Sequence, residues 1–190
     1  MTPAGPGPPP AGRRAVFLDR DGVINLDGPR GINRPEDLRL VPGAAAAIAG
    51  VRARGWLAVA VTNQSAVARG WLSPEGLAAV HARLAALLAA EGAALDGIYH
   101  CPHHPDFPER GGRPGGAPCG CRKPAPGMLF AAAAGLGICL ARSVLVGDRP
   151  RDIEAGRAAG LAACRLIPSD APGALAEALA EIAGEEAGPP

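Results

Sequence analysis

Short apolar runs that end at a polar or acidic residue recur along this chain and alternate with helical segments. Residues 14–19, 57–62 and 143–147 are three such runs, and the first and last lead into a carboxylate. Runs that are apolar throughout, without polar alternation, predict strands buried on both faces of a sheet. Strands that alternate with helices form parallel sheets, so the expected fold class is α/β with a doubly wound parallel sheet.

Helix signals fill the segments between these runs. Ser73-Pro74-Glu75 combines an N-cap, a proline at the first helical position and an acid in the first turn. The apolar residues that follow it share one helical face: Leu77, Val80, Leu84, Leu87 and Leu88. Further helices are predicted at 43–54, 127–136 and 152–159 and around Leu175, Leu179 and Ile182, and further strands at 97–101 and 162–167.

Composition and chain length exclude several classes of protein. The 190 residues suffice for one α/β domain, which we place at 14–184 between a flexible Pro/Gly-rich tail at 1–13 and a short flexible tail at 185–190. A net charge of +1 and 3% aromatic residues give no reason to expect a nucleic-acid partner. The sequence has no secretory signal and no apolar run long enough to span a membrane, so we expect a cytoplasmic protein, and a monomer suffices.

Polar groups stand at the ends of three predicted strands: Asp19-Arg20-Asp21, Thr62-Asn63-Gln64-Ser65 and Gly147-Asp148-Arg149. Ligands of an open α/β sheet bind at the carboxyl ends of its strands, so we expect these groups to meet in one site. Two carboxylates two residues apart can divide phosphoryl transfer between them, one attacking phosphorus and the other handling the proton of the leaving oxygen. Asp148 adds an oxygen ligand of the kind magnesium prefers. Three further groups can steady the transferring phosphoryl group: Thr62, Asn63 and Lys123.

A long irregular segment at 102–122 is bracketed by the pairs Cys101-Pro102-His103 and Cys119-Gly120-Cys121. Three thiolates and one imidazole form the closed tetrahedral set that structural zinc prefers, and a loop of this length needs a staple or a function. Two other interpretations remain, a chance cluster of cysteines and a reactive thiol. His104 is a rival to His103 as the fourth ligand.

Four motifs together resemble those of the haloacid dehalogenase-like phosphatases, over about residues 14–168. In detail the chain is similar to the branch that contains the D-glycero-D-manno-heptose-1,7-bisphosphate phosphatases and the histidinol-phosphatase domains. The motifs are Val16-Phe17-Leu18-Asp19-Arg20-Asp21-Gly22-Val23-Ile24-Asn25, Val61-Thr62-Asn63-Gln64-Ser65, Cys121-Arg122-Lys123-Pro124 and Val146-Gly147-Asp148-Arg149.

This resemblance implies a phospho-aspartate intermediate at Asp19, with Asp21 as general acid/base. The proton on Asp21 is expected to be held there by neighbouring negative charges. Catalytic magnesium would be bound by Asp19, the backbone carbonyl of Asp21, and Asp148. Asp152 would either support this shell from outside or serve as an ordinary helix-start acid.

The same resemblance assigns roles to the remaining motif residues. Thr62 and Lys123 would steady the phosphoryl group. The residues expected to face a small phosphorylated substrate are Asn63, Gln64, Ser65 and Arg122. Structural zinc would be held by Cys101, His103, Cys119 and Cys121.

Two departures from the family pattern bear on the substrate. Arg149 stands where relatives usually carry lysine, and a guanidinium contacts phosphate through a forked geometry. The segment after Asp27 reads Gly-Pro-Arg-Gly, unlike that of the heptose enzymes, which makes Asp27 and Arg30 candidate substrate contacts. The expected substrate is heptose bisphosphate. Histidinol phosphate or another phosphorylated metabolite is one alternative, and a zinc-stapled binding domain without catalysis is another.

Overall fold

The computed structural model of the protein describes residues 12–107 and 119–186. Most of both predicted tails and the middle of the predicted zinc loop lie outside these described residues. The parts of the tails that are described belong to regular structure. Arg13 forms a β-bridge with Ile138, and the last helix continues to Glu186.

A parallel sheet forms the centre of the described structure. Its five strands there are β1 (Ala15–Leu18), β2 (Leu57–Asn63), β3 (Gly97–Cys101), β4 (Val144–Gly147) and β5 (Ala163–Leu166). They lie in the order β3-β2-β1-β4-β5, and every neighbouring pair runs parallel. The predicted fold class is therefore confirmed.

Helices cover both faces of the sheet. They are α1 (Ala44–Ala53), α2 (Ser65–Ala68), α3 (Pro74–Ala90), α4 (Gly127–Leu136), α5 (Pro150–Ala158) and α6 (Ala174–Glu186). Residues of α1, α3 and α6 join Val16 and Leu18 of β1 in one buried cluster, whereas residues of α4 and α5 join Ala15 and Phe17 in the other. Alternate residues of one strand therefore face opposite layers, which explains why these strands are apolar throughout.

Local sequence signals account for the starts of helices α3 and α5. Ser73 caps α3, since its hydroxyl accepts a hydrogen bond from the Gly76 amide at 3.0 Å. Helix α5 begins at Pro150, two residues before the predicted start, and the Asp152 carboxylate accepts a hydrogen bond from the Arg149 amide at 3.0 Å. The helix α2 has only four residues, too few to show a periodic pattern, and the sequence did not predict it.

No helix within the described ranges is long and apolar enough to cross a lipid bilayer. Strands β1, β2 and β4 are adjacent, so the segments that follow them meet at one edge of the sheet. A cavity of about 440 Å³ opens there, and its wall includes Asp19, Thr62 and Asp148. The predicted convergence of the three strand ends is thus observed.

Candidate active site

Asp19 follows β1 directly and lies at the base of the cavity. Only 5% of this residue is exposed. Its Oδ1 accepts a hydrogen bond from the Arg20 amide at 2.7 Å and lies 2.9 Å from Lys123 Nζ. The pKa of Asp19 is raised to about 6, because burial and the nearby carboxylates of Asp152 and Asp21 outweigh the lowering effect of Lys123. The result is a carboxylate that is ionised at neutral pH and turned toward the cavity.

Lys123 reaches this carboxylate from the segment that follows the second cysteine pair. Its buried ammonium also lies 2.7 Å from Asp152 Oδ1 and donates to the Val61 carbonyl at 2.7 Å. Asn63 fixes the lysine backbone from β2: Asn63 Nδ2 donates to the Lys123 carbonyl at 3.0 Å, and the Lys123 amide donates to Asn63 Oδ1 at 3.0 Å. These contacts make Asn63 a positioning residue for Lys123.

The strongest charged neighbour of Asp21 is a cation, although the carboxylates of Asp19 and Asp27 are also near. Arg20, whose side chain is fully buried, donates from Nη2 to Asp21 Oδ1 at 2.6 Å and to Oδ2 at 2.8 Å. Burial alone would raise the pKa of Asp21, but the Arg20 guanidinium, together with hydrogen bonds from Asn25 and Gln64, lowers it below its usual value. The expectation that neighbouring charges keep Asp21 protonated is therefore wrong for this arrangement.

Gln64 connects two groups of the site. Its Nε2 donates to Asp21 Oδ2 at 2.8 Å and to Thr62 Oγ1 at 2.7 Å. Because the Thr62 oxygen accepts this bond, its own hydroxyl proton is left to donate elsewhere. Thr62, Gln64 and Ser65 all line the cavity.

Asp148 provides the strongest indication of a cation. Among the described residues, neither of its buried carboxylate oxygens has a hydrogen bond of good geometry, although Arg149 Nε lies 3.0 Å from Oδ2 and the Ser169 side chain is near enough to lower the pKa of the group. Burial raises the pKa of Asp148. Carboxylate oxygens of Asp19, Asp148 and Asp152 lie within 4.8 Å of one another. Such an oxygen set suits magnesium, so the residues present fit the ion that the sequence predicts.

Asp152 fits both roles that the sequence left open, the acid at a helix start and the support of the metal site from outside its ligand shell. One of its oxygens accepts from the Arg149 amide at the start of α5, and the other contacts Lys123. Both of its oxygens are thus engaged by the protein. At Asp148, Arg149 lies beside Oδ2, whereas Oδ1 is buried without a hydrogen-bond partner among the described residues, which favours Asp19 and Asp148 as direct ligands with Asp152 behind them.

The four candidate zinc ligands converge in a second cluster. Cys101 Sγ lies 3.5 Å from Cys119 Sγ and 3.2 Å from Cys121 Sγ, and His103 Nδ1 lies 3.2 Å from Cys121 Sγ. A tetrahedral zinc with Zn–S bonds of about 2.3 Å requires sulfur separations of about 3.8 Å, so the thiols lie slightly closer together than in a zinc-bound site, and the set matches zinc in the type and number of its ligands. His104 points elsewhere, since its Nε2 contacts Arg69 Nη2 at 3.0 Å.

Arg122, expected to face substrate, donates from Nη1 to the His103 carbonyl at 3.0 Å and so connects the cysteine cluster to Lys123. Arg149 lies at the cavity wall, 3.5 Å from Asp27. Asp27 and Arg30 also line the cavity.

Some cavity residues were missed by the sequence analysis. They are Arg69, Trp71 and Arg151. Arg69 and Trp71 come just after the Thr62 motif, and Arg151 lies two residues beyond Arg149, so proximity to a motif was the only available signal. Their side chains show no period or spacing that would mark them as cavity residues.

Comparison with known proteins identifies the class. Residues 120–180 match the family described as HAD-hydrolase-like. A D-glycero-beta-D-manno-heptose-1,7-bisphosphate 7-phosphatase of Vibrio cholerae is 41% identical over 83% of this chain and 83% of its own length. A D-glycero-D-manno-heptose-1,7-bisphosphate 7-phosphatase of Thermosynechococcus vestitus is 46% identical, over 78% and 76%.

A solved structure is similar as well. The D,D-heptose 1,7-bisphosphate phosphatase of B. bronchiseptica, complexed with magnesium and phosphate, aligns with a TM-score of 0.74 and 33% identity over 89% of this chain and 99% of that one. The chain belongs to the haloacid dehalogenase-like phosphatases, a class of phosphoric monoester hydrolases. Within that class it falls in the branch of the heptose-bisphosphate phosphatases, as the four motifs predicted.

Proposed function

We propose that this enzyme hydrolyses D-glycero-D-manno-heptose 1,7-bisphosphate in the cytoplasm, using magnesium and a phospho-aspartate intermediate at Asp19. The observation that carries the proposal is the buried Asp19 carboxylate, which opens to the cavity with Lys123 Nζ 2.9 Å from one oxygen. The substrate is taken from the names of relatives that match over most of their length. Magnesium is supported by the chemistry of the oxygen cluster and by the ion in the B. bronchiseptica enzyme.

Asp19 acts as the nucleophile in this mechanism. A carboxylate oxygen forms a bond to phosphorus while the bond from phosphorus to the leaving oxygen breaks. Lys123 and the Thr62 hydroxyl stabilise the charge that spreads over the phosphoryl oxygens. Gln64 orients Thr62 for this role by occupying its acceptor position at 2.7 Å.

Asp21 transfers the protons. It gives a proton to the leaving oxygen in the first step and takes one from water when the aspartyl phosphate is hydrolysed. The ionised form favoured by Arg20 suits the second step. The first step needs a protonated carboxyl, and the negative charge of an arriving phosphate raises the pKa of a carboxyl beside it.

Magnesium, when bound, would offset the negative charge of the phosphate and so reduce its repulsion from the Asp19 carboxylate. Asp19 and Asp148 would hold it, with the Asp21 carbonyl as the remaining protein ligand. Zinc at Cys101, His103, Cys119 and Cys121 would take no part in the chemistry. Its role would be to fix the segment that carries Arg122 and Lys123.

A direct assay tests the substrate. The purified protein is given magnesium and, separately, heptose 1,7-bisphosphate, histidinol phosphate and a set of hexose phosphates, and released phosphate is measured. We expect the highest kcat/KM with heptose bisphosphate and loss of one phosphate per molecule. Faster hydrolysis of histidinol phosphate would replace the proposed substrate, and no hydrolysis of any ester would favour the non-catalytic binding domain.

A further inference from the structure

One large hydrophobic side chain in the cavity wall has no place in the chemistry described above. Trp71 is 52% exposed and lines the cavity. Within the described part of the chain, the other exposed large hydrophobic residues are Phe130 and Leu166, and neither lines that cavity. Because the exposed indole lines a cavity otherwise rich in carboxylates and guanidinium groups, it offers an apolar surface to a ligand bound there.

The position of Trp71 is fixed by the elements that build the active site. Its amide donates to the Ala66 carbonyl at 2.9 Å, which closes the turn after α2. Helix α2 begins at Ser65, the last residue of the motif that contains Thr62. The indole is therefore attached through a short, hydrogen-bonded segment to the residues that hold the phosphoryl group.

Arg69 restrains the indole from the side. Its guanidinium carbon lies 5.2 Å from the centroid of the Trp71 ring and 5.0 Å from that of Phe107. The same guanidinium contacts His104. Cation–π contacts at these distances order an aromatic ring, and a ring held in advance loses little side-chain entropy when a ligand covers it.

The chemistry of the cavity indicates which part of a ligand the ring would meet. The phosphoryl group is held by Thr62, Lys123 and the magnesium site. Charged groups do not need an apolar wall, but the carbon skeleton of a sugar offers C–H faces that pack against an aromatic ring. Ligand sites combine such apolar walls with a few polar groups that fix orientation.

We infer that Trp71 is a specificity-determining residue, whose indole packs against the carbon face of the sugar in the part of the substrate that is not transferred. This inference rests on the proposed function, because it takes a sugar phosphate as the substrate. Trp71 takes no part in breaking the phosphate ester. It contributes to the affinity for the sugar, so its effect should be seen only with substrates whose leaving group contains one.

Kinetics of paired substrates test this role. Trp71→Ala should lower kcat/KM for heptose 1,7-bisphosphate about tenfold, mostly through KM, since the contact is present in ground and transition states alike. Trp71→Phe should retain most of the activity. Acetyl phosphate has no sugar, so its hydrolysis should be unchanged in both variants. Phe130→Ala removes an equally exposed aromatic residue outside the cavity and should match wild type on both substrates.

Fluorescence provides a measurement that does not depend on turnover. The chain has two tryptophans, so in a Trp56→Phe, Asp19→Asn variant the emission comes from Trp71. Heptose bisphosphate should change that emission, and inorganic phosphate should not.

Three outcomes would overturn the inference: equal losses with both substrates in Trp71→Ala, no loss with either, or unchanged Trp71 emission while calorimetry shows the bisphosphate bound. If wild type hydrolyses acetyl phosphate but not heptose bisphosphate, the proposed substrate fails. The fluorescence titration, repeated with hexose phosphates, then decides separately whether Trp71 contacts a sugar.

Discussion

The ammonium nitrogen of Lys123 lies 2.9 Å from Asp19 Oδ1, with 1% and 7% of the two side chains exposed. The two residues are far apart in sequence, and their contact ties the segment after the cysteine cluster to the end of β1. Lys123 also lies 2.7 Å from Asp152, so one buried cation pairs with two buried carboxylates. Removing one member of this group leaves uncompensated charge in the interior. Both the stability and the activity of the protein should therefore depend on the intact group.

Replacing Lys123 by Met should therefore affect both properties. We expect a loss of about 3–5 kcal/mol in the free energy of unfolding, measured by urea denaturation, because two carboxylates remain buried without their cation. Turnover should fall by about 10²-fold or more through loss of charge stabilisation in the transition state. Arg122→Met is the matched control, because its guanidinium binds the His103 carbonyl and neither carboxylate. Its stability should change by about 1 kcal/mol at most. Equal stability losses in both variants would contradict the assigned role of Lys123.

Replacing Asp19 by Asn keeps the size of the side chain and removes the attacking anion. Turnover should fall on the order of 10³-fold or more, since the covalent step is lost. Circular dichroism should show an unchanged fold. Asp37→Asn changes an exposed acid that pairs with Arg34, and it should retain full activity. Near-normal turnover in folded Asp19→Asn protein would exclude the phospho-aspartate mechanism.

The two proposed metals should behave differently. EDTA should stop activity, and added magnesium should restore it, because few protein ligands hold that ion. Zinc in a closed four-ligand site should remain at about one per chain by elemental analysis.

The cysteine cluster is tested by substitution. Cys119→Ser should release zinc, weaken substrate binding and lower stability, whereas Cys139→Ser, outside the cluster, should have none of these three effects. Purified protein without zinc, combined with a Cys119→Ser variant that behaves as wild type, would exclude the zinc site.

Gly22 has a backbone conformation that favours glycine and lies against the proposed magnesium ligand Asp148. Its φ is +85°, and a Cβ added there would lie 2.6 Å from Asp148 Oδ2 and closer still to Ser169 Oγ. Gly22→Ala should cost about 1–3 kcal/mol of stability and raise the magnesium concentration needed for half-maximal activity, because Asp148 must move. Gly50→Ala, in α1 with open space around it, should stabilise by about 0.5–1 kcal/mol. Unchanged magnesium dependence in Gly22→Ala would argue against Asp148 as a ligand.

Asp96 gives a pH-dependent contribution to stability. It accepts from Arg52 Nε and Nη2 at 3.1 and 3.0 Å and from the Ala58 amide at 2.9 Å. Burial alone would raise the pKa of Asp96, but these bonds lower it. A folded pKa below the unfolded value of about 3.9 means that the stabilisation is present above that pH and is lost as the pH falls through the folded pKa.

Asp96→Asn should therefore lower the free energy of unfolding by about 1 kcal/mol at pH 7, a modest figure because Arg52 is partly exposed. Urea denaturation should show the difference from wild type shrinking as the pH approaches 3. Asp37→Asn should change stability by less than about 0.5 kcal/mol at either pH. A difference that stays constant with pH would show that charge on Asp96 contributes nothing.

Much of the fold followed from the sequence because its signals are local. Strand β3 and helix α4 have the predicted bounds, and α3 begins at the predicted cap. Apolar runs specify buried strands, and cap residues specify helix starts, through interactions within a few residues. The same local patterns located Asp19, Asp148 and the two cysteine pairs.

Only the tertiary structure showed which charged side chains pair with one another. Arg20 and Asp21 are adjacent in sequence, but only burial of Arg20 by distant parts of the chain turns its guanidinium onto the Asp21 carboxylate and lowers the pKa of Asp21. Asp152 became both a helix-start acid and a partner of Lys123 only because β4 lies next to β1. The cavity position of Trp71 likewise depends on the turn after α2. Contacts between residues distant in sequence depend on strand order and packing, and burial then decides which charges are stable, so no local pattern could specify them.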